Sequence, residues 1–250
     1  MTHIITATLI GGPTAVLQYA GLTIVTDPTF DQPGPHAYLV KTHGPALTAD
    51  QVGVADVVLI SHDQHPDNLD DAGREYAQRS TVAITTVAGA ERNPGFVGVA
   101  PGDTHTVQGD VEVTITAVPA QHGPFELVEV AGPVVGFVME AEGWPTVYFS
   151  GDNASVEVAG TIADRFPYVD VALLCVGAAQ LAMRGPALLT LNADRAAQVM
   201  QRWPSATVVP VHADGWEHFS EQRAQAVARL RELGLAGRLV DLEPGVPTVV

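Results

Sequence analysis

Hydrophobic positions in this chain fall into short apolar runs, several with period-two alternation, separated by glycine, proline and asparagine. Runs of that kind read as strands, and stretches with apolar positions three and four apart read as helices. Strands are expected at 4–10, 15–19 and 22–26, the first two joined by Gly11-Gly12-Pro13. Residues 28–49 carry Pro33, Gly34, Pro35, Gly44 and Pro45 and read as one long irregular loop, a length that usually has a functional reason. A strand at 57–61, a helix at 69–79 and a strand at 81–86 follow. Beyond the turn-rich Asn93-Pro94-Gly95-Phe96 come strands at 105–108 and 111–118. The second half has strands at 134–140 and 146–150, a helix at 155–165 and a buried strand at 169–176. A helix at 192–202, a strand at 207–211, a helix at 221–233 and a last strand at 238–242 complete it. There is no sequence repeat, yet each half runs from strand-rich to strand–helix–strand. That order predicts an α/β fold of two facing sheets with helices outside, a four-layer αββα sandwich. One domain over 1–250 is expected, made of two pseudo-equivalent halves of about 1–128 and 129–250.

Composition narrows the function classes. Hydrophobic residues make up 46% and charged residues 16%, which is enough for a large core, but no apolar run reaches the ~20 residues that span a bilayer. The start, Met1-Thr2-His3-Ile4, has no basic n-region, so a cytoplasmic protein without a membrane partner is expected. Cys175 is the single cysteine; it lies in the apolar run 171–177 and reads as buried and unreactive. Net charge is −16, from 28 acidic against 12 basic residues, and such a surface repels polyanions. The expected partner is a small-molecule substrate rather than a nucleic acid, with a homo-oligomer possible. Lys41 is the only lysine.

The candidate chemistry sits at strand ends. His62, His122, Asp152 and His212 each come just past a hydrophobic run, and in layered α/β proteins ligands collect above the carboxyl ends of strands. The densest segment is Ser61-His62-Asp63-Gln64-His65-Pro66-Asp67-Asn68-Leu69-Asp70. Two imidazoles and several carboxylates in one turn can wrap one or two cations of the zinc, manganese or iron type. The plainer role of Asp67, Asn68 and Asp70 is to cap the helix that follows. Gly151 lets the backbone bend before Asp152 and aim its carboxylate above the sheet. The substrate wall is expected from Lys41 and His43, with His36 and Tyr38, in the long loop, and from Trp216 and His218 in Gly215-Trp216-Glu217-His218-Phe219. Lys41 would pair with a substrate anion, and Arg184 is a weaker anion candidate. The alternative is that these are ordinary loop residues and that Trp216 packs its loop onto the core.

Thr26-Asp27-Pro28, the segment 61–70, Gln121-His122-Gly123, Ser150-Gly151-Asp152-Asn153 and Pro210-Val211-His212-Ala213-Asp214-Gly215 together resemble the metallo-β-lactamase-fold hydrolases. Within them the chain is similar to the ascorbate-6-phosphate-lactonase-like branch, and the likeness covers its whole length. The family signature is H-x-H-x-D-H, followed by a later His, an Asp after a strand and a final His. Here the segment is one residue longer. Aligned from the left, Gln64 replaces the second His; aligned from the right, Asn68 replaces the last. Amides are weak donors to zinc or iron, so at least one imidazole is lost either way. The resemblance implies a first ion held by His62, His65, His122 and Asp152, and a weaker or empty second position with Asp67, Asp152 and His212. The implied cofactor is zinc, as one or two divalent ions, with manganese or iron as options. The implied activity is metal-dependent hydrolysis of a lactone, ester or phosphorylated sugar derivative by a metal-bound hydroxide. Asp67 would orient that nucleophile, and His212 or His218 would protonate the leaving group. Two other readings stand beside it: an RNase Z-like phosphodiesterase, disfavoured by the acidic charge, and a non-catalytic member with a degenerate metal site.

Overall fold

The computed structural model describes residues 3–124, 132–182 and 185–250. The chain opens as a meander of β1 (Thr6–Gly11), β2 (Thr14–Tyr19) and β3 (Leu22–Thr26). A small hairpin of β4 (Gly34–His36) and β5 (Leu39–Lys41) precedes α1 (Ala49–Val52). Then come β6 (Val57–Leu59), α2 (Asp71–Gln78), β7 (Val82–Thr86), α3 (Val87–Arg92) and β8 (Val97–Val99). The second sheet takes β9 (Thr104–Gln108), β10 (Glu112–Pro119), β11 (Val135–Ala141) and β12 (Val147–Phe149). It continues through α4 (Val156–Arg165), β13 (Val171–Cys175), α5 (Ala193–Val199), β14 (Thr207–Val211) and α6 (Arg223–Leu230). The chain returns to the first sheet with β15 (Thr248–Val249).

The two sheets run in the order β15-β1-β2-β3-β6-β7-β8 and β14-β13-β12-β11-β10-β9. Their strands alternate inner and outer side chains with period two. Ile24 and Leu59 point into the space between the sheets, while their neighbours Val25 and Val58 point outward to Leu69, Tyr76 and Ala77 on the α2 side. In β13, Val171, Leu173 and Cys175 face the first sheet, and Ala172 and Leu174 face α4, α5 and α6 through Ile162, Val199 and Leu230. Three apolar layers thus alternate with two sheets and two helical covers, the four-layer αββα sandwich expected. Each fully buried Leu, Val or Phe contributes about 1.5–3 kcal/mol of transfer free energy, so this core, not the polar site, carries the stability.

The topology also sets where the site lies. β3, β6, β7 and β8 pair in parallel, as do β12, β13 and β14. β10 and β12 are each antiparallel to β11, so they run the same way. The carboxyl ends of β3, β6, β10, β12 and β14 therefore collect five loops at one edge, where Val135 N donates to Ser61 O at 3.1 Å across the two sheets.

Four details differ from the sequence reading. Residues 28–49 are not wholly irregular but hold β4 and β5 and lead into the one-turn α1, which is capped by Thr48. α3 and β8 are additions; six and three residues are too short for a periodicity to register. No strand forms at 238–242: Leu239 makes one isolated bridge to Val208, and the chain turns at Pro244-Gly245 to place β15 beside β1. The change of sheet falls between β8 and β9, so β9 and β10 join the strands of the second half. Among the described residues no helix is long and apolar enough to cross a membrane.

Candidate metal centre

The loop after β6 delivers two imidazoles and the loop after β10 a third. His62 Nε2 lies 2.9 Å from His65 Nδ1, and His122 Nε2 lies 3.2 Å from the same atom. The hydrogen bonds behind them assign the protons. His122 Nδ1 donates to the Leu189 carbonyl at 2.8 Å, which leaves Nε2 bare. His62 Nδ1 lies 2.9 Å from Ser61 Oγ, and that hydroxyl gives its single proton to Asp27 Oδ2 at 2.8 Å. Ser61 must therefore accept from His62 Nδ1–H, and His62 Nε2 is bare as well. Three ring nitrogens meet with at most one proton between them. Burial, and then mutual repulsion, holds His62 well below the ordinary imidazole range and lowers His65 to about 4, so both stay neutral and ready to donate lone pairs.

Asp27 anchors this arrangement. It is fully buried with φ 31, and it also accepts from Ser61 N at 2.6 Å and Asn68 Nδ2 at 3.1 Å. Burial pushes its carboxyl up to about 7, against the pull of those donors.

A second group adjoins the first. His212 Nδ1 bonds Asp152 Oδ1 at 2.8 Å, and its Nε2 lies 3.2 Å from Asp67 Oδ2 without hydrogen-bond geometry. His218 Nε2 lies 3.0 Å from the same Asp67 oxygen, and His122 Nδ1 is 3.8 Å from Asp152 Oδ2. Burial favours neutral forms here, but the ion pairs outweigh it. Asp152, through His212, and Asp67, through His218 and His212, are held below the usual carboxylate range, while His212 is raised well above the imidazole range. Two backbone features secure the geometry. His212 adopts φ 54, and Gly151 adopts φ 53 where a Cβ would stand 2.5 Å from Val135 O and 2.8 Å from Ser61 Cβ. Only glycine fits there, and it lets Asp152 reach the junction of the sheets.

These residues fit a divalent cation. Asp67 Oδ1, Asp152 Oδ2 and His212 Nε2 are buried without a hydrogen-bond partner among the described residues, each at a cost of about 1–3 kcal/mol unless a cation satisfies it. Beside them stand the imidazoles of His62, His65 and His122, whose donor atoms all lie within 4.8 Å of one another. An N/O donor set of this kind suits zinc, manganese or iron. His62, His65, Asp67, His122, Asp152 and His212 are thus brought to one place. The extra residue of the segment is absorbed at Gln64, whose Oε1 accepts from Asp63 N at 3.2 Å, while His65 takes the second imidazole position.

Of the residues expected to form the substrate wall, Lys41, His43 and Trp216 line one cavity with Gly12 and Asp214, and each also has partners of its own. Lys41, expected to face a substrate anion, is buried, and its ammonium donates to Asp70 Oδ2 at 2.9 Å and to Thr29 O at 3.0 Å. Asp70 also caps α2 through Gly73 N, so the pair ties the β4–β5 hairpin to that helix. Trp216 is 1% exposed and packs with Leu39, Ala179, Leu189 and Phe219, holding its loop on the core. His43 is exposed and bonds its neighbour Thr42, apart from the cluster, and His36 bonds the Gln32 carbonyl. Tyr38 is half exposed and meets the His65 ring edge-on at 6.2 Å between centroids, so it borders the site. His218 joins Asp67 as described. Arg184 lies outside the described residues. Two contributors went unassigned in the sequence, Ser61 and Asp27; the available signal was that each directly follows or ends a strand beside the ligand segment.

A sandwich with a histidine–carboxylate centre across its strand ends defines a metallo-hydrolase type of site, and the comparisons agree. Residues 23–213 match the model of the beta-lactamase superfamily domain, and the chain belongs to that family. It is 29% identical over 196 residues to a UPF0173 metal-dependent hydrolase of Pyrococcus abyssi, covering 76% of this chain and 79% of that one. Among solved structures, the isothiocyanate hydrolase from Delia radicum gut bacteria superposes with a TM-score of 0.84 at 23% identity, covering 98% of this chain and 99% of that chain. A possible metal-dependent hydrolase from Veillonella parvula gives 0.85 at 20% identity, covering 99% and 100%. At those identities the two structures speak for the fold.

Proposed function

We propose that this chain is a divalent-metal-dependent hydrolase of small lactones or esters. The observation that carries the reading is the convergence of three imidazole nitrogens, sharing at most one proton, with unpartnered buried oxygens of Asp67 and Asp152. When bound there, a divalent cation supplies Lewis acidity, polarising a carbonyl and bringing water to nucleophilic strength near neutral pH. With one Asp67 oxygen on the cation, the other would orient the attacking water, take its proton and return it to the leaving alkoxide. His212, tied to Asp152, keeps that carboxylate in place. Asp27 and Ser61 hold His62 in the tautomer that donates Nε2. Tyr38 borders the opening over His65.

Within the lactone, ester and phosphorylated-sugar range, the charge distribution favours the uncharged substrates. Among the described residues, two cations beside the flanking loops are paired with carboxylates, Lys41 with Asp70 and Arg92 with Asp63, and Arg195 spends one donor on the Ala154 carbonyl. The first two offer no free charge to a phosphate. The −16 net charge likewise disfavours an RNase Z-like action on a polyanion. The lactonase-like branch is then the nearest description, with the phosphate the part least supported.

The test is reconstitution of purified protein with zinc, manganese or iron. Turnover of γ- and δ-lactones, p-nitrophenyl acetate, an isothiocyanate and bis(p-nitrophenyl) phosphate is then followed in parallel with metal content. Metal-dependent lactone or ester turnover is expected. Protein that takes up no metal promotes the non-catalytic reading, and preferential phosphodiester cleavage promotes the nuclease reading.

A further inference from the structure

We propose that His218 is a direct ligand of the second metal position, supplying the imidazole that the Ser61–Asp70 segment lacks, together with Asp67, Asp152 and His212. The inference rests on the reading of this cluster as a metal centre.

The segment ends on Asn68 where an imidazole would complete a second position. Asn68 commits its amide nitrogen elsewhere, and its Oδ1 is buried without a hydrogen-bond partner among the described residues. Its Nδ2 donates to Asp27 Oδ2 at 3.1 Å and lies 3.5 Å from Ser61 Oγ, in the support behind His62. Its remaining donor is a neutral amide oxygen, a weak ligand for zinc or iron. His218 arrives from the loop between β14 and α6. Its Nε2 lies 3.0 Å from Asp67 Oδ2, and His212 Nε2 lies 3.2 Å from that same oxygen. Two imidazoles therefore converge on one carboxylate, within the spacing a shared cation would occupy.

Unpaired atoms mark the same spot. Asp67 Oδ1, Asp152 Oδ2, His212 Nε2 and the amide oxygen of Asn68 lack hydrogen-bond partners among the described residues, as does His218 Nδ1, the ring nitrogen that does not face Asp67, and the His218 side chain is only 10% exposed. A surface histidine recruited to touch substrate would keep its edge in water; this one does not. Its placement is also fixed. Phe219 packs against both rings, at 4.8 Å from His212 and 4.5 Å from His218 between centroids. The backbone on either side is pinned by Gln180 N donating to His218 O and Glu217 N donating to Val40 O, both at 3.0 Å. His62, His65 and His122 form one group of close donor atoms and Asp152, His212 and Cys175 a second. Asp67 joins that second group to His218 through its contacts with His212 and His218, and Asp152 lies between the two groups.

The experiment measures metal, not turnover. Wild type, His218→Ala, His218→Phe and Asn68→Ala are equilibrated with zinc and with cobalt(II). Bound ions are counted by elemental analysis, and cobalt absorption reports the coordination of each site. His218→Phe retains the ring packing on Phe219, and thermal melts verify that each variant is folded. Two ions are expected in wild type and Asn68→Ala, and one in both His218 variants. Removing a direct ligand should weaken the second ion by more than the ~10–100-fold that loss of an outer-shell partner brings. Two tightly held ions in folded His218→Phe or His218→Ala overturn the proposal, as does loss of an ion from Asn68→Ala while both His218 variants keep theirs. One ion in wild type and in every variant overturns the second position alone. No ion in wild type instead overturns the metal-centre reading beneath it.

Discussion

Ser61→Ala tests whether the proton arrangement behind His62 matters for metal binding. The serine hydroxyl accepts from His62 Nδ1 at 2.9 Å and donates to Asp27 Oδ2 at 2.8 Å, so a single oxygen fixes the histidine tautomer. Alanine removes that oxygen and keeps the Cβ, which lies against Gly151. Asp27 retains two donors, Ser61 N at 2.6 Å and Asn68 Nδ2 at 3.1 Å, so its carboxylate is not stranded. The group that loses its partner is His62 Nδ1–H, fully buried, and an unsatisfied buried donor costs about 1–3 kcal/mol. For a chain of this size that corresponds to a fall of roughly 2–12 °C in the melting temperature of the metal-free protein. His62 can escape the penalty by moving its proton to Nε2, which spoils the donor atom. Metal affinity should then drop about 10–100-fold, the usual effect of losing an outer-shell partner. Competition against a chromophoric chelator gives the affinity, and melts with and without metal give the stability. A lower apo melting temperature with metal affinity unchanged within about twofold would refute the reasoning, because the hydroxyl would then be structural and the tautomer set elsewhere.

Three further outcomes follow from the geometry. Gly151→Ala must place a methyl 2.5 Å from the Val135 carbonyl at φ 53, and should cost about 2–4 kcal/mol in denaturant midpoints; a neutral effect would mean the sheet junction yields. Lys41→Met breaks the buried pair with Asp70 and should destabilise by about 3 kcal/mol, moderated by the backbone donors of Phe30, Asp31 and Gly73 to that carboxylate. KM for a lactone should stay unchanged, and a large rise in KM without loss of stability would return Lys41 to the substrate wall. Cys175, fully buried with its thiol pushed up to about 12 by burial, should ignore Ellman's reagent at pH 8 in the native protein and react stoichiometrically once unfolded; rapid native reaction would contradict the packing.

What the sequence revealed of this site is what is local to it. A hydrophobic run followed by His or Asp is a strand end carrying a ligand, and β6, β10, β12 and β14 each deliver one in that way. The sandwich followed from the same runs, because β13 and β14 are buried on both faces and cannot be surface strands. The errors are long-range. Lys41 looked available because its partner, Asp70, is 29 residues away and itself looked like a helix cap; it is both. Trp216 had two readings, and the choice needed Leu39, Leu189 and Phe219, which no local pattern joins to it. The last strand was misplaced because Arg238-Leu239-Val240 is apolar enough to pair, yet Leu239 reaches β14 through one bridge before the turn at Gly245 redirects the chain to β1.

The altered ligand segment illustrates the limit most clearly. One added residue between His62 and Asp67 leaves two alignments open, and local spacing cannot choose between them. In three dimensions the choice is made by contacts on both sides. His65 Nδ1 closes on His62 Nε2 and His122 Nε2, so the left-hand reading with Gln64 as a ligand has no imidazole left to replace. Asn68, released from a ligand's duty, turns its amide to Asp27, a residue 41 positions earlier that must keep Ser61 and His62 in register. The missing donor is then to be sought where Asp67 looks, and Asp67 looks across to the loop after β14, at His212 and His218. On the proposal that His218 is a ligand, a change in one loop is compensated from another element of the fold, and the ligand count of such a centre would follow from which side chains share a carboxylate, not from how many histidines one segment contains.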